Sequence, residues 1–201
     1  MTLLNTTELE AVNMMLAAIS EAPVSTLADD TIDDANIATQ TLREMSKEIQ
    51  SEGWHFNTDY DWPIAVDSDL KLPYPAGVGH ADPMASENKD LVKVGLYFWD
   101  RENLTFFFAA GASYKFKIVW LRDYEDLPQL WRTYITMEAA NRFVAQQLGD
   151  QYAFKYSIND VQQAKARALA DDLRRADTNM MNNADVARVL GGRRRISRWQ
   201  G

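Results

Sequence analysis

Cysteine is missing from the 201 residues, which excludes disulfides, thiolate nucleophiles and Cys-ligated metals. Histidine is nearly as scarce, with only His55 and His80. No His-Glu-x-x-His pair occurs, so a zinc centre is not expected. A Ser-His-Asp triad would need one of the two imidazoles as base, and no Gly-x-Ser-x-Gly elbow accompanies either. No Gly-rich phosphate cradle of the P-loop or dinucleotide type is present, which argues against nucleotide hydrolysis. No run of about 18 apolar residues exists, so a membrane span is not expected. The amino terminus, MTLLNTTELEAV, has neither a basic region nor a long apolar stretch, so no signal peptide is expected and the chain reads as soluble.

Positive charge is absent from residues 1–42, which hold seven acids and no Lys or Arg. Residues 186–201 show the reverse, five Arg and no acid. The whole chain carries −8; without those five arginines the rest carries −13. An acidic body with a basic tail can pair head to tail with its own copies or with an acidic partner. It does not suit a general nucleic-acid surface on the body.

Hydrophobic residues make up 46%, enough for a buried core. Leu9, Val12, Leu16 and Ile19 recur at helical spacing, with Asn5/Glu8 or Thr7/Glu10 as a capping box and Pro23 as a stop. Asp33 and Asp34 suit the positive end of a second helix whose stripe is Ala38, Leu42, Met45 and Ile49, ended by Gly53. From 54 to 120, Pro63, Pro73, Pro75, Gly77, Gly79 and Pro83 forbid long helices. Leu91 to Trp99, a turn at 100–103 and Leu104 to Phe108 read as a hairpin. Lys115 to Leu121 reads as a half-buried strand, with Phe116, Ile118 and Trp120 set against Lys115, Lys117 and Val119. Helix returns after Pro128, with Leu130, Tyr134, Met137, Val144 and Leu148 on one face and Gly149 as terminator. A fourth helix covers 158–177, capped by Ser157 with Asp160 three residues on, its apolar side being Ile158, Val161, Ala168, Leu169 and Leu173. Strands and helices are segregated, so the expected class is α+β. The expected architecture is an antiparallel four-helix bundle drawn from both chain ends, with an inserted antiparallel β domain, sandwich- or barrel-like, and an extended C-terminal arm. The expected boundaries are 1–53 and 121–177 for the helical domain, 54–120 for the insert and 178–201 for the arm.

Candidate chemistry is sparse. His80 with Asp82 is a weak metal pair better explained as a surface loop. His55, between Trp54 and Phe56, reads as packing at a strand edge. The acids from Asp29 to Asp34 lack the Gly and distal Glu of a calcium loop and suit capping and solvation. Asp59, Asp61 and Asp67 near Tyr60 and Trp62 keep a glycan-binding or glycan-degrading alternative open, since paired carboxylates are defined by separation in space. No catalytic, cofactor-binding or metal residue is assigned. The strongest binding candidates are Arg188, Arg193, Arg194, Arg195, Arg198 and Trp199, because Arg and Trp are enriched among anchoring residues at protein interfaces. Contact of these arginines with nucleic-acid phosphate is the rival reading.

ELEAVNMMLAAISEAPVSTL at 8–27 resembles the first helix and Pro-Val turn of the tail tubular protein A family of short-tailed bacteriophages. ANIATQTLREMSKEIQSEGWHFN at 35–57 is similar to that family's second helix and Gly-Trp-x-Phe strand start. LRDYEDLPQLWRTYIT at 121–136 and EAANRFVAQQLGD at 138–150 resemble its Leu-Arg-Asp-Tyr turn and third helix. Ser20 stands where the family tends to have Gly, so a positive φ there would strain it. Residues 58–118 and the Arg-rich tail do not follow the family pattern. The resemblance implies a non-catalytic virion tail protein without cofactors, assembled in the host cytoplasm. It implies a homo-oligomeric ring, of twelve copies in the family, between the portal and a tail nozzle resembling tail tubular protein B. The helical part would face the portal, and the terminal arm would embrace it. The β part would face the nozzle near the tail fibres, and DNA would pass through the ring without sequence-specific binding. No membrane partner is implied.

Overall fold

Thr7 opens the first helix, α1 (Glu8–Ala18), through a reciprocal cap. Its hydroxyl accepts from the Glu10 N–H at 3.2 Å, while the Glu10 carboxylate accepts from the Thr7 N–H at 2.9 Å. The helix ends with Glu21 N–H bonded to the Leu16 carbonyl at 3.0 Å and Ser20 N–H to Ala17 at 3.4 Å. That closure needs a left-handed residue between them, and Ser20 supplies it at φ 66°. The strain expected from the sequence is therefore present. The structure, a computed structural model, describes residues 5–28, 33–87, 89–149 and 154–181, with side chains to 176 in the last stretch.

The second helix, α2 (Asp33–Ser51), starts with the two acids at its positive end. Next come, among the described residues, five strands: β1 (Thr58–Ala65), β2 (Val78–Pro83), β3 (Leu91–Val94), β4 (Tyr97–Asp100) and β5 (Ser113–Trp120). Helices α3 (Gln129–Leu148) and α4 (Ile158–Met181) follow, so the class is α+β. Pro128 caps α3, and Gly149 ends it at φ 65°. The Ser157 hydroxyl accepts from the Asp160 N–H at 3.2 Å at the start of α4.

α3 packs against α1, α2 and α4, and α1 also packs on α2. Their shared apolar cluster includes Val12, Leu16, Leu42, Ile49, Ile135, Phe143, Val161 and Ala168. Trp131 sits at its centre, 1% exposed, with the rings of Trp54 and Phe56 at 4.6 and 5.2 Å. The β region is a three-stranded antiparallel sheet, β1-β5-β2, and a two-stranded ribbon, β3-β4. The two share a second cluster of Ile64, Leu72, Val78, Leu91, Phe98, Phe108, Phe116 and Ile118.

Several local expectations are corrected. The hairpin turn lies at Gly95-Leu96, because Val94 pairs with Tyr97. Gly95 takes φ 64° at the first turn position, the place a tight two-residue hairpin reserves for Gly. Thr105 and Phe107 make only isolated bridges, to Asp100 and Lys71. Leu130, Leu148, Ile158 and Leu173 are exposed, at 36, 61, 64 and 64%. They extend the apolar stripes past the points where a neighbouring helix covers them. Val119 is buried at 3%, although it points away from Phe116 and Ile118, because α2's end and Gly53 cover that face. His55 begins a single 3-10 turn, His55–Asn57, not a strand edge.

The chain crosses between the two clusters through a buried polar seam. Gln50 is 1% exposed and Asn57 0%. The Gln50 side-chain amide donates to the Arg122 carbonyl at 3.0 Å and accepts from the Arg122 N–H at 2.8 Å. Asn57 Nδ2 donates to the carbonyls of Gln50 and Trp120 at 2.9 and 2.8 Å, and its Oδ1 accepts from the Trp54 N–H at 2.8 Å. The side chains thereby satisfy backbone groups that helix and sheet ladders leave unpaired where the chain changes element.

Candidate assembly surfaces

Asp172 on α4 is 7% exposed, and its carboxylate accepts from the N–H groups of His55 and Phe56 at 2.8 and 3.1 Å. It caps the 3-10 turn across 117 residues of sequence. Arg132, 5% exposed, donates Nε to the Leu127 carbonyl at 2.8 Å, Nη1 to Thr6 at 2.7 Å and Nη2 to Glu125. It ties the stretch before α1 to the turn before α3. These anchors hold rigid the surfaces that lie outside them.

Among those surfaces, the β3-β4 ribbon turns a wholly apolar face away from the core, while its core side pairs Phe98 with Lys93 and Leu91 with Asp100. Phe98 faces the core at 0% exposure and stacks on Phe116 at 4.6 Å. The opposite face carries Val92 against Trp99 and Val94 against Tyr97, with Phe106 edge-on to Trp99 at 4.6 Å. At the rim Leu96, Leu104 and Phe107 are 78, 72 and 62% exposed. Contiguous apolar surface of this kind marks an interaction site.

Two turns of this region share one construction. Asp67 Oδ1 accepts from the N–H groups of Asp69 and Lys71 at 2.9 and 2.8 Å, and Leu70 follows at φ 61°. Asp100 Oδ1 accepts from Glu102 and Asn103 N–H at 3.0 and 2.9 Å, and Leu104 follows at φ 53°. Burial opposes ionisation of Asp100, yet hydrogen bonds from Asn103 and Lys89 outweigh it and hold the carboxyl below its usual range. Gly would sit at either leucine position without strain, whereas Leu costs about 1 kcal/mol. A strained, exposed leucine at a turn tip is strain kept where a contact surface needs it.

The residues set aside for chemistry have structural duties. Asp59 accepts from Trp120 Nε1 at 2.8 Å, and Asp61 pairs with Lys115 at 3.6 Å. With Asp67 building its turn, all three candidate glycan-side carboxylates are engaged. Trp62 sits edge-on to Trp120 at 5.3 Å, and Tyr60 is 61% exposed beneath Lys117. His80 Nε2 lies 2.8 Å from Asp82, both more than half exposed. Among the described residues no three His, Asp or Glu side chains come together in a metal-holding group, and no helix is long and apolar enough to cross a membrane. Arg188, Arg193, Arg194, Arg195, Arg198 and Trp199 lie outside the described residues.

Sequence reading missed Gln50, Asn57, Arg132 and Asp172. Each is polar on a helix or turn, and each has at least one partner far along the chain, which no local spacing signals. The positive-φ leucines had one readable signal, an Asp three or four residues ahead.

A search of curated proteins returns no match. A model of the family described as tail tubular protein matches residues 9–178, most of the chain.

Proposed function

This chain belongs to the tail tubular protein family and is a structural protein of the bacteriophage tail, and from that premise we propose that it is a non-catalytic ring adaptor. Copies of the chain, twelve in the reading carried over from the family resemblance, form a closed ring between the portal and the tail nozzle. DNA leaves through the ring. The helices, acting as one four-helix bundle of residues 1–53 and 121–177, face the portal. The insert of 54–120, a small β sandwich, faces the nozzle near the tail fibres. The arm of 178–201 reaches the portal through its arginines and Trp199. Assembly takes place in the host cytoplasm before the protein joins the virion.

The observation that carries this reading is the apolar outer face and rim of the β3-β4 ribbon, with strained leucines at the neighbouring turn tips. That face is only partly covered, by Phe106 on Trp99 and Lys71 over Tyr97, and Val94, Leu96, Leu104 and Phe107 stay exposed among the described residues, more clustered apolar surface than a lone chain normally leaves to water. A subunit built for assembly resolves that. The glycan alternative rests on Tyr60 and Trp62 alone, because the nearby carboxylates are committed to Trp120, Lys115 and a turn.

Truncation tests the arm. Removing 186–201 is expected to leave the circular dichroism spectrum and melting unchanged while weakening portal attachment. Unchanged attachment by the truncated protein would remove that role from the arm.

A further inference from the structure

Among the described residues, nothing covers one stripe of α1. Glu10, Met14, Ala17 and Glu21 are exposed and recur at spacings of four, three and four. The first three therefore share one face of the helix, and Glu21 follows its end. The stripe is apolar in the middle, where Met14 is 42% exposed, and acidic at both ends. No Lys or Arg occurs in residues 1–42 to neutralise it from its own segment. Glu8, the other acid of α1, is already taken by Arg43, at 2.7 and 3.2 Å.

A second feature without cover among the described residues lies between α3 and α4. Two adjoining pockets, of about 300 and 510 Å³, share Leu130, Gln163 and Arg167 and form one groove along α4. Its apolar lining comes from Leu130, Met137 and small residues including Ala164, Ala166 and Ala170. The groove exists because α4 leans mainly on α3 and the 3-10 turn, which leaves its flank open. At its rim Asp171 is paired with Arg175 at 2.8 Å, and Asp160 accepts from the Ser157 hydroxyl at 2.7 Å. Arg167, which lines both pockets, is exposed and makes no ion pair among the described residues. The groove thus presents an apolar floor with one uncommitted arginine beside it, and the alanines let another helix approach closely.

The two features match in chemistry: each is apolar in the middle, and the glutamates of one suit Arg167 of the other. We propose that neighbouring copies of this chain meet head to tail, with the Glu10–Met14–Ala17–Glu21 stripe of one copy seated in the α3–α4 groove of the next. Met14 enters beside Leu130 and Met137, and Glu21 or Glu10 meets Arg167. The two patches are different surfaces of the same chain, so the contact is heterologous. A heterologous contact whose rotation closes generates a ring, whereas a self-matching patch would stop at a dimer. The pairing rests on the ring reading and adds to it the faces that build the ring. The β3-β4 ribbon is more apolar, but no charge pattern around it singles out an occupant.

The absence of native Cys makes the test clean. The full-length Met14→Cys/Ala166→Cys double variant, alone and with the portal, is oxidised mildly and run on a non-reducing gel. The pairing predicts a ladder of cross-linked species extending well past the dimer. An equimolar mixture of the two single variants gives dimers and nothing larger, because each copy then offers one half of the joint. Arg167→Glu weakens ring assembly by about tenfold, and adding Glu21→Arg in the same chain restores it. Rings seen by mass without any ladder would overturn the pairing and leave the ring reading standing. A chain that stays monomeric under both conditions would overturn the ring reading and the pairing together.

Discussion

Replacing Asn57 by Ala should destabilise the protein through the seam between its two apolar clusters. Asn57 is fully buried and makes three hydrogen bonds, to the carbonyls of Gln50 and Trp120 and from the N–H of Trp54. The Gln50 carbonyl keeps a second partner in the Gly53 N–H at 3.1 Å, so its loss is cushioned. The Trp54 N–H has no such reserve, and an orphaned buried donor costs roughly 1–3 kcal/mol. With the two lost carbonyl contacts and the small void, the sum is about 3 kcal/mol. At about 2–4 °C per kcal/mol for a chain of this size, the melting temperature should fall by roughly 6–12 °C. Asn57→Asp should be worse near neutral pH, because a carboxylate would face two carbonyl oxygens at under 3 Å. The folded state would raise that carboxyl's pKa, so its tolerance should be best below about pH 4 and be lost as pH rises. Thermal and urea unfolding measure both variants. An Ala variant that melts within about 1 °C of the parent would refute the reasoning.

Asp172→Ala should cost about 2–3 kcal/mol, since two backbone N–H groups lose a charged acceptor, and hydrogen exchange should speed up most at His55 and Phe56. Leu104→Gly should raise the stability of the isolated chain by about 0.5–1 kcal/mol by relieving the φ of 53°, yet weaken attachment to the nozzle; loss of stability would show that the leucine packs within the chain. Burial pushes the Tyr74, Tyr124, Tyr134 and Tyr156 phenols upward, with Glu138 adding to the rise at Tyr134. A raised phenol stabilises the fold while the unfolded tyrosine is still protonated, so stability should fall above about pH 10; phenolate absorbance that rises without loss of helix signal would contradict this.

Much of the helical part was legible because its signals are local. The Thr7–Glu10 box, the strained Ser20, the acids opening α2 and the Ser157 cap each lie within a few residues of their partners. The β region was less legible for a physical reason. Apolar residues fall on both sides of β3 and β4, with Lys93 and Asp100 the only charges, so the segment reads as one long strand and hides the Gly95-Leu96 turn. Leu130, Leu148, Ile158 and Leu173 fit the helical period but lie where no neighbouring element covers them, and period alone cannot report cover. Gln50, Asn57 and Asp172 act across 72, 63 and 117 residues, beyond any spacing rule. Of the candidate sites, the glycan-side carboxylates were visible as types, but their engagement with Trp120, Lys115 and a turn required the fold.

The ring adaptor role is tested most directly by mass measurement and class-averaged images of the purified full-length protein mixed with its portal. The account predicts closed rings of many copies seated on the portal. A protein that remains a monomer and never joins the portal would contradict it.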